Sequence, residues 1–315
     1  MLSRSEACVH YTITHRTRYQ YASEVLHAHH LLHLVPRPSP HQQCLEHRLQ
    51  LEPAQFRRVD VEDAFGNPLT RIEILQPHSR LEVCSELGVV VHPRPAIAPG
   101  DTLPWEQVTG QFVYQGAAPA RERLEAAQFR HESPHVRIKG QFAEWARDCF
   151  TPATPVLSGA VALCGKLHAE VRYAPGVTTV ATTVSEVLRE RRGVCQDFAH
   201  LMLACLRSLG MPARYVSGYL HTAPPQGSGS LQGADASHAW VSVWCPPLGW
   251  IELDPTNGCF AGTSHVALAW GRDFGDVSPL RGVILGGAQH QLAVSVRVVP
   301  EGPTAMPAGV RSLPH

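Results

Sequence analysis

No stretch of this 315-residue sequence holds enough consecutive apolar residues to span a bilayer. The segment Met1 to Tyr11 also lacks the basic start, apolar run and small-residue cleavage site of a secretory leader, so cytoplasmic residence is the expectation. Neither sign of charge is in excess: 27 basic side chains meet 27 acidic ones, so no whole-molecule field draws the chain onto nucleic acid or an anionic membrane. A small or neutral substrate fits that balance better. Cys-x-x-Cys pairs are missing as well. The nine cysteines are an odd set scattered along a long chain, which reads as reduced thiols in a reducing compartment, where a reactive thiolate survives. Charged residues reach only 17% against 44% apolar, a balance that excludes long disordered tracts and lets the chain bury a core without disulfide or metal.

What is present divides into two patterns. Val9 to Tyr21 alternates polar and apolar residues, with Tyr11, Ile13, Tyr19 and Tyr21 on one parity. Similar short runs follow at Leu31 to Val35, Cys44 to Leu51, Phe56 to Val61, Leu69 to Leu75 and Leu81 to Val91. Asp63, Gly66, Asn67 and Pro68 mark a turn between two of them, so residues 1–100 are expected to form a β-sandwich-like domain. Prolines 93, 95, 99 and 104 then mark a connection, and residues 101–137 are assigned to a linker and a first helix. Beyond it the period becomes helical, as in Leu157, Val161, Cys164, Leu167 and Val171. Helices followed by strands over residues 138–300 indicate an α+β core, and residues 301–315 are left as a tail. The Gly-, Ser-, Pro- and Gln-rich stretch His221 to Ala236 is expected to be an exposed loop.

Cysteine chemistry needs a thiolate, a base within reach of its proton, and a third group that fixes the base's tautomer. In Gly193-Val194-Cys195-Gln196-Asp197-Phe198 a glycine turn delivers Cys195 to the start of an apolar helix that ends at Gly210, with Pro212 beyond. There the unpaired backbone N–H groups and the positive dipole end favour S⁻, and the N–H of Cys195 is placed to donate to an oxyanion. Ser237-His238-Ala239-Trp240 sets a histidine at the mouth of a strand, and Asp254 closes the next strand before Pro255 forbids its continuation. If these strands pair as a hairpin through Pro246, Pro247 and Gly249, Asp254 returns level with His238. Each piece alone has a structural reading; their order and spacing together point to a triad of Cys195, His238 and Asp254. Asp197 is read as a cap on the first helical turn.

The runs GVCQDFAHLMLACLRSLGMPARYVSGYL and SHAWVSVWCPPLGWIELDPTN resemble the core of the transglutaminase-like superfamily, which shares its geometry with papain-like cysteine hydrolases. Residues Tyr11 to His15 through Tyr21, Leu34-x-Pro36-Arg37 and Asp63-x-Phe65-Gly66-Asn67 resemble the β region that precedes this core in bacterial transglutaminase-like proteins. The resemblance implies a papain/transglutaminase-like core behind an N-terminal β-sandwich, and the same Cys195, His238 and Asp254 triad. It also implies a cysteine hydrolase acting on a peptide, protein or small amide. Gln196 and Trp240 are supporting candidates, as an oxyanion donor or as walls of the acyl site.

Acyl transfer to an amine shares the thioester step with hydrolysis and stays open, as does a non-catalytic binding module on the same fold. Hydrolysis is preferred because the C-terminal β domains and calcium sites of animal cross-linking enzymes have no counterpart here. The chemistry requires no metal or organic cofactor. His27, His29, His30 and His33 form the one cluster that raises a metal question. Read as a histidine-only set without a nearby carboxylate or cysteine, they are expected to form a histidine row on a sheet edge. No Gly-x-Ser-x-Gly elbow and no Pro-Cys-x-x-Cys signature occurs, which removes support from serine hydrolase and zinc deaminase readings.

Overall fold

A computed structural model describes residues 8–113, 116, 120–222 and 237–301; most of the glycine-rich 221–236 stretch and nearly all of the 301–315 tail lie outside the described residues. The N-terminal unit is built around one long strand, β1 (Val9–Leu32), with β2 (Gln42–Glu52), β3 (Arg57–Glu62), β4 (Pro68–Ile74) and β5 (His78–Val91) in the order β2-β5-β1-β4-β3. The alternation around Tyr11 and that around Leu31 belong to this single strand. Register shifts between Gln20 and Val25 and between Val25 and His27 bend it, and the buried parity passes from Tyr11, Ile13 and Tyr21 to Ala28, His30 and Leu32. Tyr21, Val25, Leu32, Ile72, Ile74, Leu81 and Val83 then share one buried cluster, so the sheet curls over its own face. The expected sandwich is one continuous antiparallel sheet whose central strand serves both halves.

Helices α1 (Trp105–Gly110), α2 (Arg121–Ala127), α3 (Gly140–Ala146), α4 (Val156–Glu170), α5 (Val184–Glu190) and α6 (Cys195–Ser208) follow. A parallel pair, β6 (Arg172–Tyr173) and β7 (Arg192–Gly193), is inserted among them. The core sheet then runs through β8 (Ala213–Leu220), β9 (His238–Trp244), β10 (Trp250–Asp254), β11 (Cys259–Phe260) and β12 (His265–Gly271), in the order β11-β10-β9-β8-β12. The short helix α7 (Phe274–Val277) ends the core, and β13 (Leu280–Gly286) and β14 (His290–Pro300) are the last strands among the described residues.

Helix α6 is the centre of the core. Every residue from Asp197 to Arg207 is buried, and Gly210 at φ +83° lets the chain leave it in a conformation that L side chains resist. Phe198, Leu201, Met202 and Cys205 share a cluster with Val241, Val243, Ile251 and Leu253, the odd-numbered face of the β9–β10 hairpin. The even-numbered residues, His238, Trp240, Glu252 and Asp254 among them, lie on the other face.

Two boundaries differ from the sequence expectation. Strands β13 and β14, which sequence order places in the core, both pair with β1. An edge of apolar and β-branched residues binds the partner that leaves no ladder open, and β1 offers that place to the chain's end. Within the expected linker, α1 buries Val108 in the core cluster, with Leu103 and Trp105 packed beside it. A third cluster joins the two units: Tyr11, Ile13, Leu87, Val89 and Val91 meet Tyr219, Val266 and Leu268.

Candidate active site

Cys195 is the first residue of α6 and is partly exposed, in contrast to the helix that follows it. The local sequence explains the placement. Asp197 turns back to accept the N–H of Val194 at 2.8 Å and the hydroxyl of Thr178 at 2.7 Å, while the carbonyl of Val194 accepts from the N–H of Asp197 and Phe198. Asp197 is therefore a capping residue, as read from sequence. Burial raises its pKa, and the bonds from Val194 and Thr178 oppose that rise. A Cβ on Gly193 would lie 2.6 Å from Asp197 Oδ2 and 2.7 Å from its Cβ, so only glycine admits the carboxylate. The N–H of Cys195, at the first helical position, has no intrahelical acceptor and remains a donor for the site.

Gly193→Ala is expected to push Asp197 off the cap and displace the helix start. The measurable outcome is at least a tenfold loss in the rate at which iodoacetamide modifies Cys195, with a fall in unfolding free energy of about 1–3 kcal/mol. Wild-type alkylation kinetics in the folded variant would show that the close approach does not position the thiol.

His238 opens β9 and is fully buried, with its Nε2 2.8 Å from Asp254 Oδ2. The hairpin that brings them together has the turn Cys245 to Gly249, with Gly249 at φ +79° and Leu253 opposite Val241. Extending that register by one residue sets Asp254 against Trp240, not against His238. The contact is a diagonal between same-face residues two positions apart, a distance that an imidazole spans. The carbonyl of Ser237 lies 4.0 Å from the Cys195 sulfur, so the thiol sits beside the strand start that carries the imidazole.

Nδ1 of His238 is buried with no other partner, and with Nε2 held by Asp254 it is the nitrogen left to face the thiol. Burial by itself would lower the imidazole pKa. The hydrogen bond to Asp254, the neighbouring Cys195 sulfur and the charges of both outweigh it and push the value up to about 10.

Asp254 is completely buried and accepts more bonds than the triad reading assigns it. Its Oδ1 takes the N–H groups of Thr256 and Asn257 at 3.0 and 3.2 Å; its Oδ2 takes the Asn257 side-chain amide at 2.7 Å and a second histidine, His265, at 3.2 Å. Burial raises its pKa, but bonds from His238 and His265 and their charges hold it well below the usual carboxylate range. The Nδ1 of His265 accepts the N–H of Gly262 at 3.2 Å, which fixes its tautomer and makes Nε2–H the donor to Asp254. Ligand atoms of His238, Asp254 and His265 lie within 4.8 Å of one another, yet each imidazole Nε2 is already spent on the carboxylate.

His265 escapes a sequence reading because it sits eleven residues beyond Asp254 on the far edge strand β12, and only the pairing of β12 with β8 carries it back. The Asp-Pro-Thr-Asn order does carry a local signal for Asn257, since Asp side chains bond backbone N–H groups two and three residues on. Trp240 is fully buried, donates its only N–H to Glu252 Oε2 at 2.7 Å, and meets His265 edge-on at 5.2 Å. It walls the histidines and has no donor left for an oxyanion. Gln196 is half-buried on the first turn of α6, and its amide makes no hydrogen bond to a described residue.

The histidine cluster of the N-terminal unit divides. His33 is buried against Asp63 at 3.1 Å, whereas His27 and His29 face outward, 3.3 and 3.7 Å from Glu73 Oε1 across the ladder. That carboxylate is invisible from local sequence. It is also shared with Arg57 at 3.5 Å.

Together these features define an α+β protein with a helix-borne thiol set beside a buried histidine–aspartate pair on an antiparallel sheet. Residues 11–90 match the bacterial transglutaminase-like N-terminal region and residues 143–255 match the transglutaminase-like superfamily. An uncharacterized protein of Mycobacterium tuberculosis is 38% identical over 299 residues, covering 92% of each chain. The chain belongs to the transglutaminase-like superfamily. A protein-glutamine gamma-glutamyltransferase of Pseudomonas aeruginosa is 42% identical over 67 residues, 21% of this chain and 10% of that one. The crystal structure of a "putative cysteine protease" from Cytophaga hutchinsonii has the same fold, with a TM-score of 0.71 at 19% identity over 97% of this chain and 95% of that one.

Proposed function

We propose that this protein is a cysteine-nucleophile amide hydrolase that works through a thioester. The observation that carries the reading is the buried His238–Asp254 pair, with the second imidazole nitrogen free beside Cys195 at a helix start. In the first half-reaction the Cys195 sulfur, its proton already held by His238 in a thiolate–imidazolium pair, attacks the amide carbonyl. The oxyanion meets the Cys195 N–H, and imidazolium then protonates the departing amine. In the second, His238 takes a proton from water, which attacks the thioester and releases the acid. Asp254 stays ionised and keeps the imidazole oriented. Transfer of the acyl group to an amine is the second reading, supported by the similarity of a 67-residue stretch to the Pseudomonas glutamyltransferase.

Selective modification of the thiol can be tested before any substrate is known. Burial raises the pKa of six other cysteines, Cys44, Cys149, Cys164, Cys205, Cys245 and Cys259, with Cys149 and Cys259 pushed up to about 11. At pH 6.5, stoichiometric iodoacetamide is expected to modify Cys195 ahead of all eight others, read by peptide mass spectrometry, with exposed Cys8 as the internal comparison. Labelling in proportion to exposure, with Cys8 first, would falsify the activated-thiol reading. Incubation with a peptide and glutaminyl-amide library plus a tagged primary amine, beside Cys195→Ala, then separates hydrolysis from transfer by whether acid or tagged amide accumulates. A library left intact by the wild-type protein would favour the binding-module reading instead.

A further inference from the structure

Arg207 and Arg214 are buried and Arg37 is half-buried, and two of these three arginines are answered. Arg207, 1% exposed, gives its guanidinium to the carbonyls of Ala213 and Arg272 at 2.8 and 2.6 Å and lies 3.4 Å from His131 O and Ser133 Oγ. Arg37 donates to Phe65 O and Asn67 Oδ1, both at 3.0 Å. Arg214 differs. It is 6% exposed, its Nε is buried without a partner, and among the described residues its guanidinium has no hydrogen bond and no ion pair.

Only π-faces hold the Arg214 cation, at 3.5 Å from the ring of Trp250, 4.4 Å from Trp270 and 5.1 Å from Phe129. Stacking on ring faces leaves the in-plane N–H donors of a guanidinium unused. Burial lowers the Arg214 pKa to about 9, which still leaves it charged at neutral pH. A buried cation with unspent donors is costly unless something supplies acceptors.

The residue that carries these donors borders a space. Arg214 lines a 570 Å³ cavity between the outer face of the β9–β10 hairpin and the segment around residues 94–97. A second arginine, Arg94, lines it too, with its Nη2 2.9 Å from Glu252 and its Nε buried and unpartnered. Trp250, Trp270, Ile97 and Phe260 supply flat and apolar wall. The one carboxylate in the lining, Glu252, already serves Arg94 and the indole of Trp240. The cavity is thus a cationic end inside an aromatic shell, of the size that small-molecule sites have.

We propose that this cavity binds a small carboxylate ligand with a flat apolar body, its two oxygens accepting from the Arg214 fork and its body resting against Ile97, Phe260 and the rims of the Trp250 and Trp270 rings, whose faces carry Arg214 and Arg37. The geometry selects a carboxylate because a planar two-oxygen anion matches a guanidinium whose faces are already covered. The site is separate from Cys195 and does not depend on the proposed catalysis. Binding is tested on the full-length protein by calorimetry and tryptophan fluorescence, with benzoylglycine as probe, its uncharged amide as comparison and inorganic phosphate as the alternative anion.

The expected result is saturable one-to-one binding of benzoylglycine with a change in tryptophan emission, at least tenfold weaker for the amide and for phosphate. Arg214→Gln is expected to lose at least tenfold in affinity, and Arg214→Lys, which keeps charge but not the fork, to lose most of it. Equal affinity for acid and amide, tighter binding of phosphate, or no saturable binding of benzoylglycine, benzoate or N-acetylglutamate up to about 10 mM overturns the proposal. The wild-type comparison of acid with amide decides the matter even if an Arg214 variant fails to fold.

Discussion

Asp254→Asn is expected to lower the rate of acyl-enzyme formation by roughly 10³–10⁴-fold while leaving the chain folded. The carboxylate accepts five hydrogen bonds from His238, His265, Thr256 and Asn257, and an asparagine of the same shape keeps only one oxygen to accept them. His238 would then meet an amide, lose the charge that stabilises imidazolium, and settle in the tautomer that turns the wrong nitrogen to the thiol. Asp254→Ala goes further, since it strands two buried imidazoles. Its cost to unfolding free energy is expected to be about 3–5 kcal/mol, measured by urea denaturation at pH 7. The informative comparison is with His265→Gln, which removes one donor and leaves the His238–Asp254 bond. A loss of activity there as large as in Asp254→Asn would show that the carboxylate acts through His265 and not through His238.

His238→Gln carries the second large effect, and its size should depend on pH in one direction. The imidazole pKa is raised in the folded state, from an ordinary value near 6.5 to about 10. The stability contributed by its protonated form is therefore fully present below about pH 6.5 and is lost as pH rises through 10. The gap in unfolding free energy between wild type and His238→Gln is expected to be on the order of a few kcal/mol at pH 6 and to close by about pH 10.5. Lysine and tyrosine titrations act on both proteins and cancel in the difference. Hydrolysis, which needs imidazolium to protonate the leaving amine, should fall above about pH 10 in the wild type and be absent in the variant. A gap that widens with pH would mean that His238 is held neutral, and the ion-pair assignment would be withdrawn.

Asp254, at the end of β10, shows why a correct expectation of proximity can have the wrong geometry. A hairpin through Pro246 and Gly249 is legible because its turn residues and alternating strands lie within a short window. The exact register depends on the turn's backbone, and that turn sets Leu253 opposite Val241 and leaves the His238–Asp254 contact to a diagonal. Gly193 is a case where the sequence carries more than it seems to. It reads as a turn before a helix, and the structure adds that its missing side chain is the space Asp197 occupies.

By itself the amino-acid sequence determined the elements whose signals are local: the apolar helix that begins at Cys195 and stops at Gly210, the His238 strand, the Asp254 strand end, and the alternating strands of the first ninety residues. Periodicity, glycine and proline specify these because the interactions involved span only a few residues. Tertiary structure alone decided what depends on pairing between distant segments. The return of residues 280–300 to β1, the approach of His265 to Asp254 from the far edge of the core sheet, and the enclosure of Arg214 between Trp250 and Trp270 all belong to that group. Sheets choose partners by which edges remain open and which faces remain apolar once the local elements exist, and no residue announces that choice in its own neighbourhood.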